Sequence, residues 1–229
     1  MTQFERYSTS SYRNAVEQSM PAGVEWEAFT RMKAARLVDL ATRLLGDPEA
    51  QKVIDVGCGM GDTDRFLNGT FEELHGVDIS NQLVEAAASR NPSVSYRAAR
   101  EGEPLPYPDS SFDLAFAICV VHHVPPQEWA HFVGEMARIV RSGGLVAIFE
   151  HNPRNPLTRR VVRNCAFDQD AVLLTRKEAL SLLEDRSLAI VESRFIAIFP
   201  GDGTLLRAIE RRIGTIPIGA QYYVAGRKT

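Results

Sequence analysis

Val53-Ile54-Asp55-Val56-Gly57-Cys58-Gly59-Met60-Gly61 is the stretch that decides the fold. Its first four residues make a short, nearly unbroken apolar run, the pattern of a buried strand. The run opens into a loop with glycine at every second position, and Asp62-Thr63-Asp64 then offers N-cap chemistry for a helix. Glycines so spaced let the backbone turn sharply and leave no Cβ between chain and ligand. Strand, glycine turn and helix start together predict a nucleotide cradle in a doubly wound α/β sheet.

Which nucleotide follows from the next residues. The dinucleotide fingerprint needs its third glycine at position 62, where a pyrophosphate rests on a helix N-terminus. Position 62 is aspartate, and Asp64 adds a second negative charge. Two carboxylates at that helix start oppose a pyrophosphate and suit a neutral or cationic ligand without phosphate. S-adenosylmethionine (SAM) is such a ligand. An NAD-dependent oxidoreductase remains a reading only if a pyrophosphate tolerates Asp62.

Outward from the loop, Gly76-Val-Asp-Ile-Ser80 ends the next strand on an acidic residue, with Asp78 21 residues after Gly57. That separation lets a carboxylate reach ribose hydroxyls from the neighbouring strand. Glu101-Gly-Glu-Pro-Leu-Pro-Tyr-Pro-Asp-Ser-Ser-Phe-Asp113 and Val140-Arg-Ser-Gly-Gly-Leu-Val146 follow in order. On these four stretches, residues 35–155 resemble class I SAM-dependent methyltransferases, of the ubiquinone/menaquinone (methyltransferase type 11) group. The resemblance implies a Rossmann-like seven-stranded sheet, mostly parallel with an antiparallel last strand and helices on both faces. It implies SAM as cofactor and S-adenosylhomocysteine as product. It also implies site roles: Gly57, Cys58, Gly59 and Gly61 form the loop, and Asp55 steadies it and meets the methionine amino group through water. Asp78 takes the ribose diol, Ile79 faces adenine, Glu101 accepts from the adenine amino group, and Cys119 lines the methionine end. The group usually has aspartate where this chain has Glu101.

Composition narrows the classes. The 229 residues, 45% hydrophobic and 24% charged, fit an ordinary globular protein. A single domain over 1–229 is expected, with 1–30 as a tail or lid and 151–170 plus 199–218 as acceptor-side insertions. A net charge of −3 gives no electrostatic case for nucleic acid. Arg159-Arg160 and Arg211-Arg212 are read as solvated faces, or as contacts to an anionic or lipid-linked acceptor. Three scattered cysteines, Cys58, Cys119 and Cys165, suit a reducing compartment. No apolar run reaches the roughly 18 residues of a membrane span, so the expected location is the cytoplasm. A homodimer is left open.

Periodicity predicts helices over 25–45, 81–90, 125–140 and 175–183, with Thr175 and Glu178 as a capping box. Strands are expected over 53–56, 72–78, 94–97, 112–121, 145–150, 188–199 and 219–227. A short amphipathic helix falls within 201–212. The proline-rich stretch 104–108 reads as a loop beside the cofactor.

Ligands of such sheets bind beyond the carboxyl ends of the strands. His122 and His123 follow the fourth strand and His151 ends the fifth, so these are the candidate catalytic residues. An imidazole there can act as general base toward a hydroxyl acceptor or serve as a packed, hydrogen-bonded residue. Glu150 with His151 makes a second carboxylate–imidazole pair facing the acceptor. His75 and His131 read as surface or helix-face residues. Local spacing offers no three-ligand set, so no metal is expected. Phe167, Phe195, Phe199 and Tyr222 are core, or an apolar acceptor wall. The expected activity is methyl transfer from SAM to an oxygen or nitrogen of a small-molecule acceptor, in secondary metabolism or lipid- and quinone-like biosynthesis. The alternative is a non-catalytic SAM-binding regulatory or assembly protein of the same fold.

Overall fold

The computed structural model describes residues 26–197 and 214–229. The expected amino-terminal lid up to residue 25, Phe199 and the helix within 201–212 lie outside the described residues. Helix α1 (Trp26–Leu45) leads through a 3₁₀ turn (Pro48–Ala50) to β1 (Lys52–Val56). Then come α2 (Asp64–Leu67), β2 (Glu73–Asp78), α3 (Asn81–Arg90), β3 (Ser95–Ala98) and β4 (Phe112–Ile118). After 3₁₀ turns at Val121–His123 and Pro126–Glu128 follow α4 (Trp129–Ile139) and β5 (Val140–His151). Helix α5 (Pro156–Asn164), a 3₁₀ turn (Ala166–Asp168), α6 (Arg176–Glu184), β6 (Leu188–Ile196) and β7 (Gln221–Lys228) complete the order.

The strands form one seven-stranded sheet in the order β3-β2-β1-β4-β5-β7-β6. Pairs from β3 to β5 are parallel, and β7 runs antiparallel to both β5 and β6. The strand order reverses between β1 and β4, the switch point at which such sheets open a ligand crevice. Sequence periodicity explains the two faces. In β4, Leu114 and Phe116 pack with Leu37 and Leu40 of α1. Their neighbours Ala115 and Ala117 pack with Val133 and Met136 of α4. Both sides of the strand are covered, hence its nearly continuous apolar run. Burying each such leucine or phenylalanine stabilises the fold by about 1.5–3 kcal/mol.

Two expectations shift. The Gly143-Gly144 turn does not precede β5 but lies within it: Val140 already pairs with Phe112, and the register slips before Leu114 meets Leu145. An added Cβ at Gly144 would lie 2.6 Å from the Asp113 carbonyl oxygen, so glycine is needed at that irregularity. His75 is not a surface residue. It lies in β2, edge-on to Tyr107 and Phe112 at ring distances of 5.8 and 5.2 Å, because its side of the strand faces that aromatic pair. The capping box at α6 forms as read, with Thr175 and Glu178 each accepting from the other's backbone.

Beside the loop, Tyr96 packs against Gly76, where a Cβ would meet its ring at 2.4 Å. Gly76→Ala is therefore expected to lower stability by about 1–3 kcal/mol, the cost of overpacking. The shift of the urea midpoint measures it, and an unchanged midpoint would show that Tyr96 is free to move.

Candidate active site

β1 ends where Gly57 and Cys58 both donate to the Val77 carbonyl, at 2.7 and 3.1 Å, so the loop is hung from β2. Gly57 adopts φ +84°, and a Cβ there would approach Val120 Cγ1 to 2.5 Å. That close approach lets the chain after β4 close over the loop. Gly59, at φ +53°, has nothing within 4 Å of an added Cβ. It faces the open cleft, and its missing side chain leaves room for a ligand against the backbone. Gly61 faces Asn91 and Tyr96 instead, and buried Cys58 sits under the loop, its thiol pushed up by burial and by nearby aspartates.

The cleft encloses about 610 Å³ and is lined by Gly57, Gly59, Asp78, Ile79, Cys119 and His123, among others. Its size fits a single nucleotide-sized ligand with an acceptor beside it. Asp78 is the best-placed polar group. Its Oδ2 accepts from Gly59 N and its Oδ1 from Ser80 N, each at 2.9 Å, so one carboxylate braces the loop and starts α3. Burial raises the Asp78 carboxyl, and these N–H donors oppose the rise. Ile79 stands beside it. Glu101 lies exposed at the rim, near the Arg100–Glu103 pair. Cys119 takes φ +58°, turning the chain sharply out of β4, and its thiol meets Gln221 Nε2 at 3.1 Å.

Asp55 is set back from the cleft. It is fully buried and hydrogen-bonded to Asp64, and burial followed by the Asp64 charge raises it well above the usual carboxyl range. Asp64 in turn accepts from Tyr96 Oη at 2.7 Å. Asp62 forms an ion pair with Arg90 at 2.7 Å. Thr63 holds the N-cap position of α2 without a side-chain capping bond, so the expected capping by 62–64 is corrected. Helix α2 is a single turn, and its carboxylates are engaged elsewhere. Neither Asp62 nor Asp64 lines the cleft. The charge that bears on the ligand comes from other residues. Asp78, Glu101, Glu103, Glu128 and Glu135 line the cleft; Glu103 pairs with Arg100 and Glu135 with Arg138, which leaves Asp78, Glu101 and Glu128 as the carboxylates that bear on the ligand.

The three candidate histidines converge where β4 and β5 end. The ring centroid of His122 lies 4.1 Å from that of His123 and 5.1 Å from that of His151. Only His123 of the three lines the cleft. Glu150, fully buried, organises the group. Its Oε1 accepts from Val120 N at 3.1 Å and its Oε2 meets His122 Nδ1 at 2.6 Å. The expected Glu150–His151 side-chain pair is therefore corrected: the Glu150 side chain takes the His122 ring, and His151 gives it only its backbone N–H, at 3.2 Å. The His151 ring turns to Gln221, 3.3 Å away. Asp168, which no periodicity or spacing singled out, closes the cluster from the turn after α5, at 3.7 Å from His122 Nε2 and 3.5 Å from His123 Nε2. The donor atoms of His122, His123 and Asp168 all lie within 4.8 Å of one another. Sequence spacing offered no such set because the third member comes from a distant turn.

Electrostatics separates the imidazoles. Burial works against charge on His122, but Glu150 and Asp168 outweigh it and hold the ring protonated well above the ordinary range. His123 falls to about 3 and His151 to about 4, through burial first and the His122 charge second. Phe167, Phe195 and Tyr222 are buried, with Tyr222 Oη donating to Leu174 O at 2.9 Å, so these three belong to the core.

A seven-stranded sheet with this switch point, glycine loop and strand-end carboxylate defines the class: the fold is that of class I SAM-dependent methyltransferases. Within it, residues 54–148 match the sequence family described as "Methyltransferase domain". The chain is similar to 27-O-demethylrifamycin SV methyltransferase of Amycolatopsis mediterranei, 34% identical over 119 residues, 49% of this chain and 43% of that protein. It is also similar to ajmaline N-methyltransferase of Rauvolfia serpentina, 27% identical over 183 residues, 71% of this chain and 62% of that one. The chain thus spans less than two thirds of either relative. Among solved structures, a SAM-dependent methyltransferase from Mesorhizobium loti superposes with a TM-score of 0.61 at 19% identity, covering 83% of this chain and 96% of that one. No helix among the described residues is long and apolar enough to cross a membrane.

Proposed function

We propose that this chain transfers the methyl group of SAM to an oxygen or nitrogen of a small-molecule acceptor. The observation that carries the reading is Asp78, held by Gly59 N and Ser80 N at the wall of an acidic cleft on the switch point. The residues fit the cofactor. The open space beside Gly59 admits a ligand to the backbone, Asp78 can accept from a ribose diol, and Ile79 offers an adenine an apolar surface. An acidic lining favours a cation over a pyrophosphate. The two relatives are named for methyl transfer to 27-O-demethylrifamycin SV and to a nitrogen of ajmaline, which supports a small-molecule acceptor here.

When bound, SAM supplies a methyl carbon on a sulfonium that leaves as a neutral thioether. The chain's task is then to align an acceptor and exclude water. We assign Gly57, Gly59 and Cys119 to the methionine side, Asp78 and Ile79 to the adenosine side, and Glu101 to the adenine rim. Asp55, Cys58 and Gly61 support the loop from behind. His123 faces the acceptor. His122 is a positioning residue, already protonated between Glu150 and Asp168, and His151 braces the wall through Gln221. The segment 151–170 serves the acceptor side through Asp168, and the chain works as one domain.

Calorimetric titration with SAM and with NADH tests the cofactor. A panel of hydroxylated and amine acceptors with methyl-labelled SAM then tests transfer. SAM binding with label transfer is expected. NADH binding without SAM binding overturns the reading.

A further inference from the structure

The His122–His123–Asp168 cluster holds more than a base would need. Asp168 Oδ1 stands 3.7 and 3.5 Å from the two imidazole Nε2 atoms. Charge-assisted hydrogen bonds are shorter, about 2.7–2.9 Å. Donors around a tetrahedral ion with bonds near 2.0–2.1 Å are about 3.3–3.5 Å apart. The spacing is therefore closer to that of ligands sharing an ion than to that of a direct pair. The outer contacts are those of a metal site as well. His122 gives its Nδ1 to buried Glu150 at 2.6 Å, which orients Nε2 toward Asp168. Glu150 is itself fixed by Val120 N and His151 N. Asp168 N donates to the Cys165 carbonyl oxygen at 3.1 Å, which fixes the turn that carries the carboxylate. Two imidazoles and one carboxylate suit zinc, cobalt, nickel or ferrous iron, whereas magnesium and calcium prefer oxygen alone.

We propose that His122, His123 and Asp168 bind one divalent transition-metal ion, which displaces the His122 Nε2 proton to solvent and takes an acceptor hydroxyl or carbonyl oxygen as a further ligand. The ion's place at the acceptor wall follows from His123, which lines the cleft. Its role rests on the methyltransferase reading; its binding does not. Coordination acidifies an acceptor hydroxyl, whose proton leaves to solvent, so no side chain need act as base. Acceptors with an oxygen at the reacting centre, or next to it, are the class selected.

The test uses the full chain stripped with a chelator and titrated with Co²⁺, then with Zn²⁺ against a chromogenic chelator. One equivalent of Co²⁺ with visible nitrogen-ligand absorption is expected, displaced by Zn²⁺ and not by Mg²⁺. His123→Ala and Asp168→Asn should each weaken Zn²⁺ binding by roughly 100-fold or more, and Glu150→Gln by roughly 10- to 100-fold. SAM titration of each variant checks that it is folded. No stoichiometric binding, or an affinity that none of the variants changes, overturns the site. SAM binding without metal binding removes the site alone; metal binding without SAM binding removes the methyltransferase reading alone.

Discussion

Asp78→Ala is expected to weaken SAM binding by about 1.5–3 kcal/mol, roughly 10- to 150-fold in Kd, read by calorimetry near pH 7.5. Two contributions combine. The first is loss of the hydrogen bonds from a ribose diol to an ionised, half-buried acceptor. The second is loss of the brace, because Asp78 ties Gly59 of the loop to Ser80 at the start of α3. Asp78→Asn separates them. An amide oxygen still accepts from one of the two N–H groups, so the loop keeps part of its support while the charge is lost. An intermediate affinity is expected for Asn, with a thermal midpoint nearer to wild type than that of Ala. If Asp78→Ala binds SAM as wild type does, the ribose assignment is gone, whatever happens to the thermal midpoint.

The fold was legible because its signals are local. Glycine spacing, the strand-end carboxylate and the alternation of helical and extended periods need only near neighbours in the chain. β1, α3 and the capping box at Thr175 therefore lie within a residue or two of their predicted places. The convergence of Gly57, Gly59, Asp78 and Ile79 on one cleft has the same cause, since they lie on two adjacent strand ends. On the acceptor side the strand ends singled out the three histidines and Glu150, but not how they pair or that Asp168 joins them. The organiser there is Glu150, 28 residues from His122, and the closing member is Asp168, on a turn after a short helix. No period connects such residues; only packing does. The choice of ligand shows a subtler failure. Asp62 and Asp64 pointed to a phosphate-free ligand, yet one is neutralised by Arg90 and the other is buried against Asp55 and Tyr96. The conclusion now stands on the acidic residues that line the cleft.

Those displaced aspartates carry the second large effect. Asp55 Oδ1 and Asp64 Oδ1 find no N–H or O–H donor, and the two carboxyls hydrogen-bond to each other. Such a contact needs a proton. Burial is the main cause that lifts Asp64 from 3.8 to about 7, with Tyr96 pulling the other way. Below pH 7 the folded protein therefore holds protons on both carboxyls that the unfolded chain releases near pH 4, and Asp55, donating to Asp64, keeps its own to higher pH than Asp64 does. The Asp64 contribution to stability is fully present below the unfolded value and is lost as pH rises through 7. Its full span is about 4 kcal/mol at the usual conversion per pH unit. His122 adds a loss of the same sign, whereas His123 and His151, held neutral, add the opposite sign below their unfolded value near 6.5. The comparison with Asp64→Asn isolates the aspartates, since an amide donates to Asp55 without a titrating proton and still accepts from Tyr96. Between pH 5.5 and 8, in urea at fixed ionic strength, the wild-type midpoint should fall relative to that of Asp64→Asn, so that the variant gains on wild type by about 2 kcal/mol at the alkaline end. Parallel curves for the two proteins across that range would mean that Asp64 does not titrate there.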